Sequence, residues 1–252
     1  MLQNRIIPVL LYKNGRLVKT VKFQNPDYIG DPVNAVKIYN DKAVDELVFL
    51  DISATTENKK PDFDKIFEIA SVCFMPLSYG GGINNVEDMK KIFNLGVEKI
   101  IICSAAVENP NLVAVSANLF GSQSVMVAID IKKNGEKYEV FSHAGTRGTG
   151  LDPLVFAQEM EKKGAGEIFL NTIDRDGTWA GYDYYLIRKI ARNISIPVIV
   201  SGGAGKVSDF GRAVKAGALA VGCGSMVVYQ KKGCGVLINF PSINEIKKGL
   251  KL

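Results

Sequence analysis

The feature that most constrains the fold is an internal repeat with an interval of 121 residues. Identical residue types recur at this interval in the two halves of the chain. Such a repeat constrains the fold more strongly than the prediction of any single strand does. The matching positions are Glu46 and Glu167, Pro76 and Pro197, Gly81-Gly82 and Gly202-Gly203, Val86 and Val207, Asp88 and Asp209, Gly96 and Gly217, and Ser104 and Ser225. The repeat predicts two related half-barrels, at about 1–120 and 121–252.

Short β-branched runs alternate with amphipathic stretches of helical length, which is typical of βα units and a parallel sheet. The eight predicted strands are Ile6 to Leu11, Leu47 to Ile52, Pro76 to Tyr79, Lys99 to Cys103, Val125 to Asp130, Ile168 to Thr172, Pro197 to Ser201 and Leu219 to Cys223. The predicted helices are Pro32 to Asn40, Phe63 to Ser71, Val86 to Asn94, Leu112 to Leu119, Pro153 to Lys163, Tyr184 to Asn193, Val207 to Ala216 and Ile243 to Leu250.

Eight βα units in two equivalent halves predict an α/β protein with a (β/α)8 TIM barrel. A doubly wound open sheet is the alternative, but such a sheet has no need for a two-fold repeat. No low-complexity linker interrupts the chain, so we expect one domain over residues 1–252.

Composition excludes several classes of function. The chain is 47% hydrophobic, yet no apolar run reaches the roughly 18 residues of a membrane span, and the start from Met1 to Arg5 is polar rather than signal-like. Four scattered cysteines and the single His143 offer too few ligands for a metal site or a disulfide framework, and no cofactor is expected. The net charge of +5 is spread over lysine pairs on predicted helices, which favours solvated faces over nucleic-acid binding. These features predict a soluble, cytoplasmic protein.

Two glycine-rich segments follow the third and seventh predicted strands, and a serine follows the fourth and the eighth. Exposed backbone N–H groups at such positions can hold a phosphate. We define cradle 1 as Gly81, Gly82 and Ser104, and cradle 2 as Gly177, Gly202, Gly203, Gly224 and Ser225. The repeat places the two cradles opposite each other, which predicts an elongated substrate with a phosphate at each end. The alternative is that these glycines serve only to make tight turns.

Acidic and basic residues close to the predicted strand ends are the candidate catalytic groups. Asp130 ends the fifth strand, where an acid at the rim of a barrel favours a role in proton transfer. Asp176 is the second candidate, although its segment can equally be a simple turn. Lys19 lies in the long first loop and can neutralise an anion or polarise a leaving group, if it is more than a solvated lysine.

Charged residues also mark the opposite end of the predicted barrel. Arg5, Glu46, Lys99 and Glu167 fall at the starts of the first, second, fourth and sixth strands. Two cations and two anions there predict a neutral ring across the barrel floor, because charges in such a place need partners to offset their desolvation. The ring can serve stability, or it can gate a small polar solute.

Several segments resemble the cyclase subunit of imidazole glycerol phosphate synthase over nearly the whole chain. The most specific are Arg5-Ile6-Ile7-Pro8, Lys13 with Gly15-Arg16 and Val18-Lys19, Gly30-Asp31-Pro32-Val33, Asp45 to Asp51, Ala105 to Pro110, Ile173 to Gly177 and Ser201 to Lys206. The resemblance implies a (β/α)8 barrel with a glutaminase docked on its floor as a heterodimer. It further implies that ammonia passes a gate formed by Arg5, Glu46, Lys99 and Glu167 and reaches a bisphosphorylated substrate, and that Lys19 and Asp130 are retained catalytic positions.

The sequence departs from that family at Leu11, where the resemblance expects a second catalytic aspartate. The internal repeat also pairs Leu11 with Asp130, and a leucine can neither accept nor donate a proton. Thr20 stands where the family has glycine, and Cys103 where it has asparagine. This set resembles second-copy paralogues that act beside a glutaminase and an amidotransferase making acetamidino groups on surface sugars. Alternatives are an authentic histidine-pathway cyclase, a related bisphosphate isomerase, and a barrel that only conducts ammonia.

Overall fold

The computed structural model describes residues 4–251, so Met1–Gln3 and Leu252 lie outside the described part of the chain. The predicted polar start of the chain therefore falls largely outside the described residues. Among the helices between residues 4 and 251, none is long and apolar enough to span a membrane.

The described residues form twelve strands and ten α-helices. The strands are β1 (Arg5–Lys13), β2 (Arg16–Val21), β3 (Gln24–Gly30), β4 (Leu47–Asp51), β5 (Leu77–Gly80), β6 (Lys99–Ile102), β7 (Val125–Asn134), β8 (Lys137–Ser142), β9 (Arg147–Gly148), β10 (Glu167–Thr172), β11 (Val198–Ser201) and β12 (Ala220–Cys223). The helices are α1 (Pro32–Asp41), α2 (Phe63–Val72), α3 (Val86–Asn94), α4 (Ser104–Glu108), α5 (Asn111–Phe120), α6 (Pro153–Lys162), α7 (Tyr184–Ala191), α8 (Ser208–Ala216), α9 (Ser225–Val228) and α10 (Ile243–Leu250). Short 3-10 turns occupy Ser122–Ser124 and Ile173–Arg175.

Eight parallel strands close into a barrel in the order β10, β11, β12, β1, β4, β5, β6, β7. The pairing of β10 with β7, from Glu167 opposite Met126 to Thr172 opposite Ile131, completes the closure. The predicted (β/α)8 barrel is thus confirmed. The alternative of an open doubly wound sheet is wrong, because such a sheet would leave two unpaired edges.

The repeat extends to the starts of two helices that cover the barrel. Asp31 accepts a hydrogen bond from the Asn34 amide at 2.9 Å, and Pro32 then begins α1. Asp152 and Pro153 begin α6 in the same way, 121 residues later. An acidic cap followed by proline is a strong signal for a helix start, because proline lacks the N–H that the first turn cannot use.

Side-chain alternation along the strands separates an inner core from an outer core. On β1, Ile7, Val9 and Leu11 point into the barrel, whereas Ile6 and Leu10 pack outward with the helices. Complete burial of a side chain of this size contributes about 1.5–3 kcal/mol. The two-residue period therefore fixes which β1 side chains can reach the mouth of the barrel, the end where the strands terminate.

The predicted helices and barrel strands are present with small shifts, but two antiparallel meanders were missed. In the first half, β1 pairs with β2 and β2 with β3. In the second half, β7 continues past the predicted end at Asp130, pairs with β8, and β8 pairs with β9. Each meander rises above the mouth of the barrel. The expectation of a long first loop is therefore wrong, and none of the strands β2, β3, β8 and β9 is among the predicted strands.

Candidate active site

Four charged side chains close the floor of the barrel, the end where the strands begin. The Arg5 guanidinium donates to Glu46 Oε2 at 2.5 Å and to Glu167 Oε1 at 2.6 Å. The Lys99 amine lies 2.9 Å from Glu167 Oε2 and 3.3 Å from Glu46 Oε1. Each carboxylate therefore contacts both cations, and the buried Ser78 hydroxyl also donates to Glu46. The predicted ring of four is formed, with paired charges that offset the cost of burial.

The space between floor and mouth is filled by apolar side chains. Its buried members are Ile7, Val9, Leu11, Val18, Val48, Ile101, Met126, Ala128, Phe169, Ile199 and Ala220. A neutral molecule can enter such surroundings at much lower cost than an ion can, since an ion loses its hydration there. The interior thus favours neutral solutes over charged ones.

Asp130 is the acidic group at the mouth end of this interior. Its side chain is buried, with the Cys103 thiol donating to Oδ2 at 3.5 Å and the Asn171 amide donating to Oδ1 at 3.3 Å. Burial raises the pKa of Asp130 to about 6, and the two donors only partly oppose that rise. A carboxyl group with such a pKa can both accept and release a proton near neutral pH.

Leu11 occupies the corresponding place on β1, two residues before that strand ends. It is buried in the inner core and lines the mouth together with Asp130. The side chain offers no titratable group, so Asp130 has no carboxylate partner on β1.

Each predicted cradle comes together around a cavity at the mouth. Cavity 1, of about 130 Å³, is lined by cradle 1 along with Asp130 and Cys103. Cavity 2, of about 30 Å³, is lined by all the residues of cradle 2 along with Lys19 and Asp176. Leu11, Phe23 and Asn171 line both cavities, so the two meet across the mouth. One elongated ligand can span both.

The glycines of the cradles are also required by the backbone. Gly81 and Gly202 both have positive φ, of +123° and +87°, and a Cβ at Gly202 would lie 2.6 Å from the carbonyl oxygen of Thr172. A Cβ at Gly81 would collide with Asp51. The turn-making explanation therefore holds alongside any role in binding an anion.

Lys19 reaches into cavity 2 from β2. Its amine donates to the Val9 carbonyl at 2.8 Å and lies against Gly224, where a Cβ would collide with it. Only 4% of the residue is exposed, and this burial lowers its pKa to about 8, although the charge of Asp176 partly opposes the shift. Lys19 is therefore a buried lysine at cradle 2 rather than a solvated loop residue.

Asp176 lies at the other side of cavity 2. Its Oδ2 accepts a hydrogen bond from the Thr20 hydroxyl at 2.8 Å. Burial raises the pKa of Asp176, whereas Lys19 and Thr20 lower it. The neighbouring rim charges have local roles: Asp174 accepts from the Lys133 amide at 2.7 Å, and Arg175 donates to the Ala180 carbonyl at 3.3 Å.

Sequence reasoning missed two residues that shape the mouth. Asn171 could have been found from the two-residue strand period, because Phe169 on the same strand points into the barrel. Phe23 lines both cavities only because the β2–β3 hairpin folds over the mouth. Its position depended on recognising that hairpin.

Fold and site together define a duplicated (β/α)8 barrel with a charged floor and paired glycine–serine cradles at its mouth. The sequence profile described as "Histidine biosynthesis protein" matches residues 5–233. The chain therefore belongs to the histidine biosynthesis family, and its relatives place it in the group of HisF-type cyclase subunits of imidazole glycerol phosphate synthase.

Three relatives illustrate the similarity. A Pseudomonas aeruginosa protein provisionally named imidazole glycerol phosphate synthase subunit hisF2 is 47% identical, covering 99% of this chain and 100% of its own. A Vibrio vulnificus protein provisionally named hisF3 is 45% identical over 100% and 98% of the two chains. The HisF subunit of Sulfolobus acidocaldarius is 48% identical, over 83% and 84%.

Proposed function

We propose that this chain carries ammonia from a glutaminase on its floor to a bisphosphorylated acceptor at its mouth. The observation that carries the proposal is the order of groups from floor to mouth: a ring of paired charges, an apolar interior behind it, and the buried carboxyl of Asp130 in cavity 1, which meets cavity 2 at the mouth.

The floor ring acts as the gate in this proposal. Each carboxylate of the ring, Glu46 or Glu167, has two cationic partners, Arg5 and Lys99. One of these contacts can therefore open to admit a small solute while the other still pairs the carboxylate. Neutral ammonia can then cross the apolar interior, whereas ammonium would have to shed its hydration. Delivery therefore favours the nucleophilic form.

Chemistry at the mouth is divided among three groups. The cradles hold the two phosphates through backbone N–H groups and the hydroxyls of Ser104 and Ser225. Asp130 carries the proton that ammonia loses as it adds to the acceptor. Lys19 neutralises phosphate charge in cavity 2, and Asp176 supports this lysine across the cavity.

Within the family, we place the chain among second-copy paralogues that support the amidation of surface sugars to acetamidino groups, with a sugar amidotransferase as a further partner. The lack of a partner carboxylate at Leu11 supports this placement, as do relatives whose names carry the numbers 2 and 3. An authentic histidine-pathway cyclase relying on Asp130 alone is the second candidate, favoured by the intact Lys19 and the two complete cradles. A conduit without turnover is the third.

Uncoupling the gate tests the proposal. With the cognate glutaminase present, Lys99→Ala should release more of the ammonia from glutamine hydrolysis into solvent, measured as free ammonium per glutamate formed. The matched control is Lys215→Ala, which removes an exposed lysine from α8. If the glutaminase neither binds this chain nor changes its rate in its presence, the proposed ammonia route is wrong.

A further inference from the structure

We propose that Thr20 is a positioning residue: its hydroxyl, bonded to Asp176, holds the tip of the β2–β3 hairpin over cavity 2 and thereby sets the Lys19 amine in place. The inference deepens the proposed function, on which it rests only for the claim that cradle 2 receives a phosphate. The hairpin contacts themselves need no ligand.

Asp176 holds the hairpin tip through several adjacent groups. The Thr20 hydroxyl donates to Asp176 Oδ2 at 2.8 Å, and the Lys22 amide donates to the Asp176 carbonyl at 2.9 Å. The Phe23 amide also interacts with the Asp176 carboxylate. Thr20 is itself buried, with 4% of the residue exposed. The Thr20 hydroxyl is the side-chain member of this set, and substitution can remove it without altering the backbone donors.

The surrounding surfaces fit the docked hairpin closely. A Cβ at Gly177 would collide with the Thr20 carbonyl, and a Cβ at Gly145 would lie 3.0 Å from the Phe23 ring. The hairpin thus packs against the loop after β10 through Thr20 and against the loop after β8 through Phe23. Glycine at these two positions permits the close approach of the hairpin.

The backbone of the tip gives a reason why external contacts are needed. Lys22 and Phe23 both adopt left-handed φ values, of 54° and 62°, which suit a tight two-residue hairpin turn but are unfavourable for residues with a Cβ. Glycine or asparagine would relieve this strain. In their absence, contacts with Asp176 help to hold the turn in its observed conformation.

The position of the Lys19 amine depends on this docking, because Lys19 directly precedes Thr20 on β2. With the tip docked, the Lys19 amine reaches the Val9 carbonyl and lies against Gly224 in cavity 2. Pairing with β1 holds β2 only as far as Val18, so if the tip lifts, the segment from Lys19 onward moves with it and the amine leaves the cavity. The threonine hydroxyl therefore controls how long a cation is present at cradle 2.

The test compares Thr20→Val, which keeps the shape and removes the hydroxyl, with Thr20→Ser, which keeps the hydroxyl. A hydrogen bond to a carboxylate is strong enough that its loss should raise the opening of the tip about tenfold. Hydrogen exchange at the Lys22 amide should accelerate by that factor in Thr20→Val and remain near the wild-type rate in Thr20→Ser. Reductive methylation of Lys19, followed by mass spectrometry, should accelerate in parallel, while exposed Lys215 keeps its rate.

A separate titration with inorganic phosphate distinguishes this inference from the proposed function. Weaker binding at cradle 2 in Thr20→Val, with rescue in Thr20→Ser, supports both. Absence of phosphate binding in every variant would count against the proposed function alone, since exchange and methylation still report on the tip. The inference would be overturned if hydrogen exchange at the Lys22 amide and methylation of Lys19 proceeded in Thr20→Val at the wild-type rates. If valine disturbs folding, as judged by circular dichroism, Thr20→Ala removes the same hydroxyl and faces the same criteria.

Discussion

The two half-barrels share a backbone plan but place different chemistry at the mouth. Both halves extend a barrel strand into a meander, and both open a short helix at a cradle serine, Ser104 in α4 and Ser225 in α9. Where β1 and β7 reach the mouth, however, the first half has Leu11 and the second has Asp130. In the proposed function, the shared features bind the phosphates, and the difference between Leu11 and Asp130 decides where a proton can be transferred.

The two cavities differ in a second respect. Cavity 2 contains the buried Lys19, whereas the described lining of cavity 1 includes Asp51 and Asp130 but no lysine or arginine. Lys19 belongs to the first half, yet its hairpin crosses to Asp176 and Gly177 of the second half. The halves therefore complete each other at the mouth, and the difference between them becomes a difference in electrostatics.

Removing the carboxyl of the second half should have the largest effect. We expect Asp130→Asn to lower turnover of the bisphosphorylated substrate of histidine-pathway cyclases, with an ammonium salt as the nitrogen source, by about 10²- to 10⁴-fold. The substitution removes the group that carries the proton while retaining the shape of the side chain. Steady-state kinetics without a glutaminase isolate this step. Asp174→Asn, which changes a rim carboxylate outside both cavities, should stay within a few-fold of wild type. Equal rates for wild type and Asp130→Asn would assign the chemistry elsewhere.

Supplying the missing carboxyl to the first half should have the opposite effect. We expect Leu11→Asp to raise the same turnover by about 10²-fold, the lower end of what general acid–base catalysis contributes. Leu11→Asn, polar but unable to carry a proton, is the control and should not improve on wild type. A wild-type kcat of about 10 s⁻¹, the median for enzymes, would show that the leucine is no handicap and would favour the authentic cyclase.

The repeat allowed the barrel to be predicted, because it specified eight βα units and the strand ends at which Asp130 and the cradles lie. Both missed meanders carry a local signal that was not used. Asn14-Gly15 forms the turn after Lys13, and Asn-Gly is the dipeptide best suited to a tight hairpin turn. In the second half the turn is Gly135-Glu136, and glycine in first place is the signature of the other common two-residue turn. The rise of each strand out of the barrel was therefore accessible from sequence.

Contacts between side chains across the mouth could not be predicted from a local sequence pattern. The pairing of Thr20 with Asp176 joins residues 156 positions apart, and it exists only after the barrel has closed and the hairpin has docked. The raised pKa of Asp130, about 6, likewise depends on burial, which no local pattern specifies. Sequence reasoning located candidate groups but could not give their environment.

The free energy of unfolding of Asp130→Asn should reveal how much the burial of an ionised Asp130 carboxylate costs. A carboxyl whose folded-state pKa is about 6, against an ordinary value of 3.8, binds its proton more tightly in the folded state. The free energy of unfolding of the wild type should therefore fall as the pH rises from about 4 to about 6, by up to about 3 kcal/mol. The asparagine side chain would carry no such penalty, so urea unfolding should show the variant gaining stability at pH 7.5 but not at pH 4. A difference independent of pH would contradict the raised pKa.

The smallest expected effect concerns the two cradles. Lys19 adds a cation to cavity 2, so inorganic phosphate should bind cradle 2 about tenfold more tightly than cradle 1, a difference of about 1.4 kcal/mol. Lys19→Met keeps the length of the side chain and should reduce binding at cradle 2 to the level of cradle 1, as followed by calorimetry or by nuclear magnetic resonance of the phosphate.

Because burial lowers the pKa of Lys19 to about 8, the higher affinity of cradle 2 in the wild type should decline as the pH rises through 8. Gly82→Ala, at a residue with φ of +70° in cradle 1, is the matched variant and should weaken that cradle alone. Equal affinities at both cradles, unchanged by Lys19→Met, would mean that backbone N–H groups suffice and that the crossing of the hairpin has no electrostatic purpose.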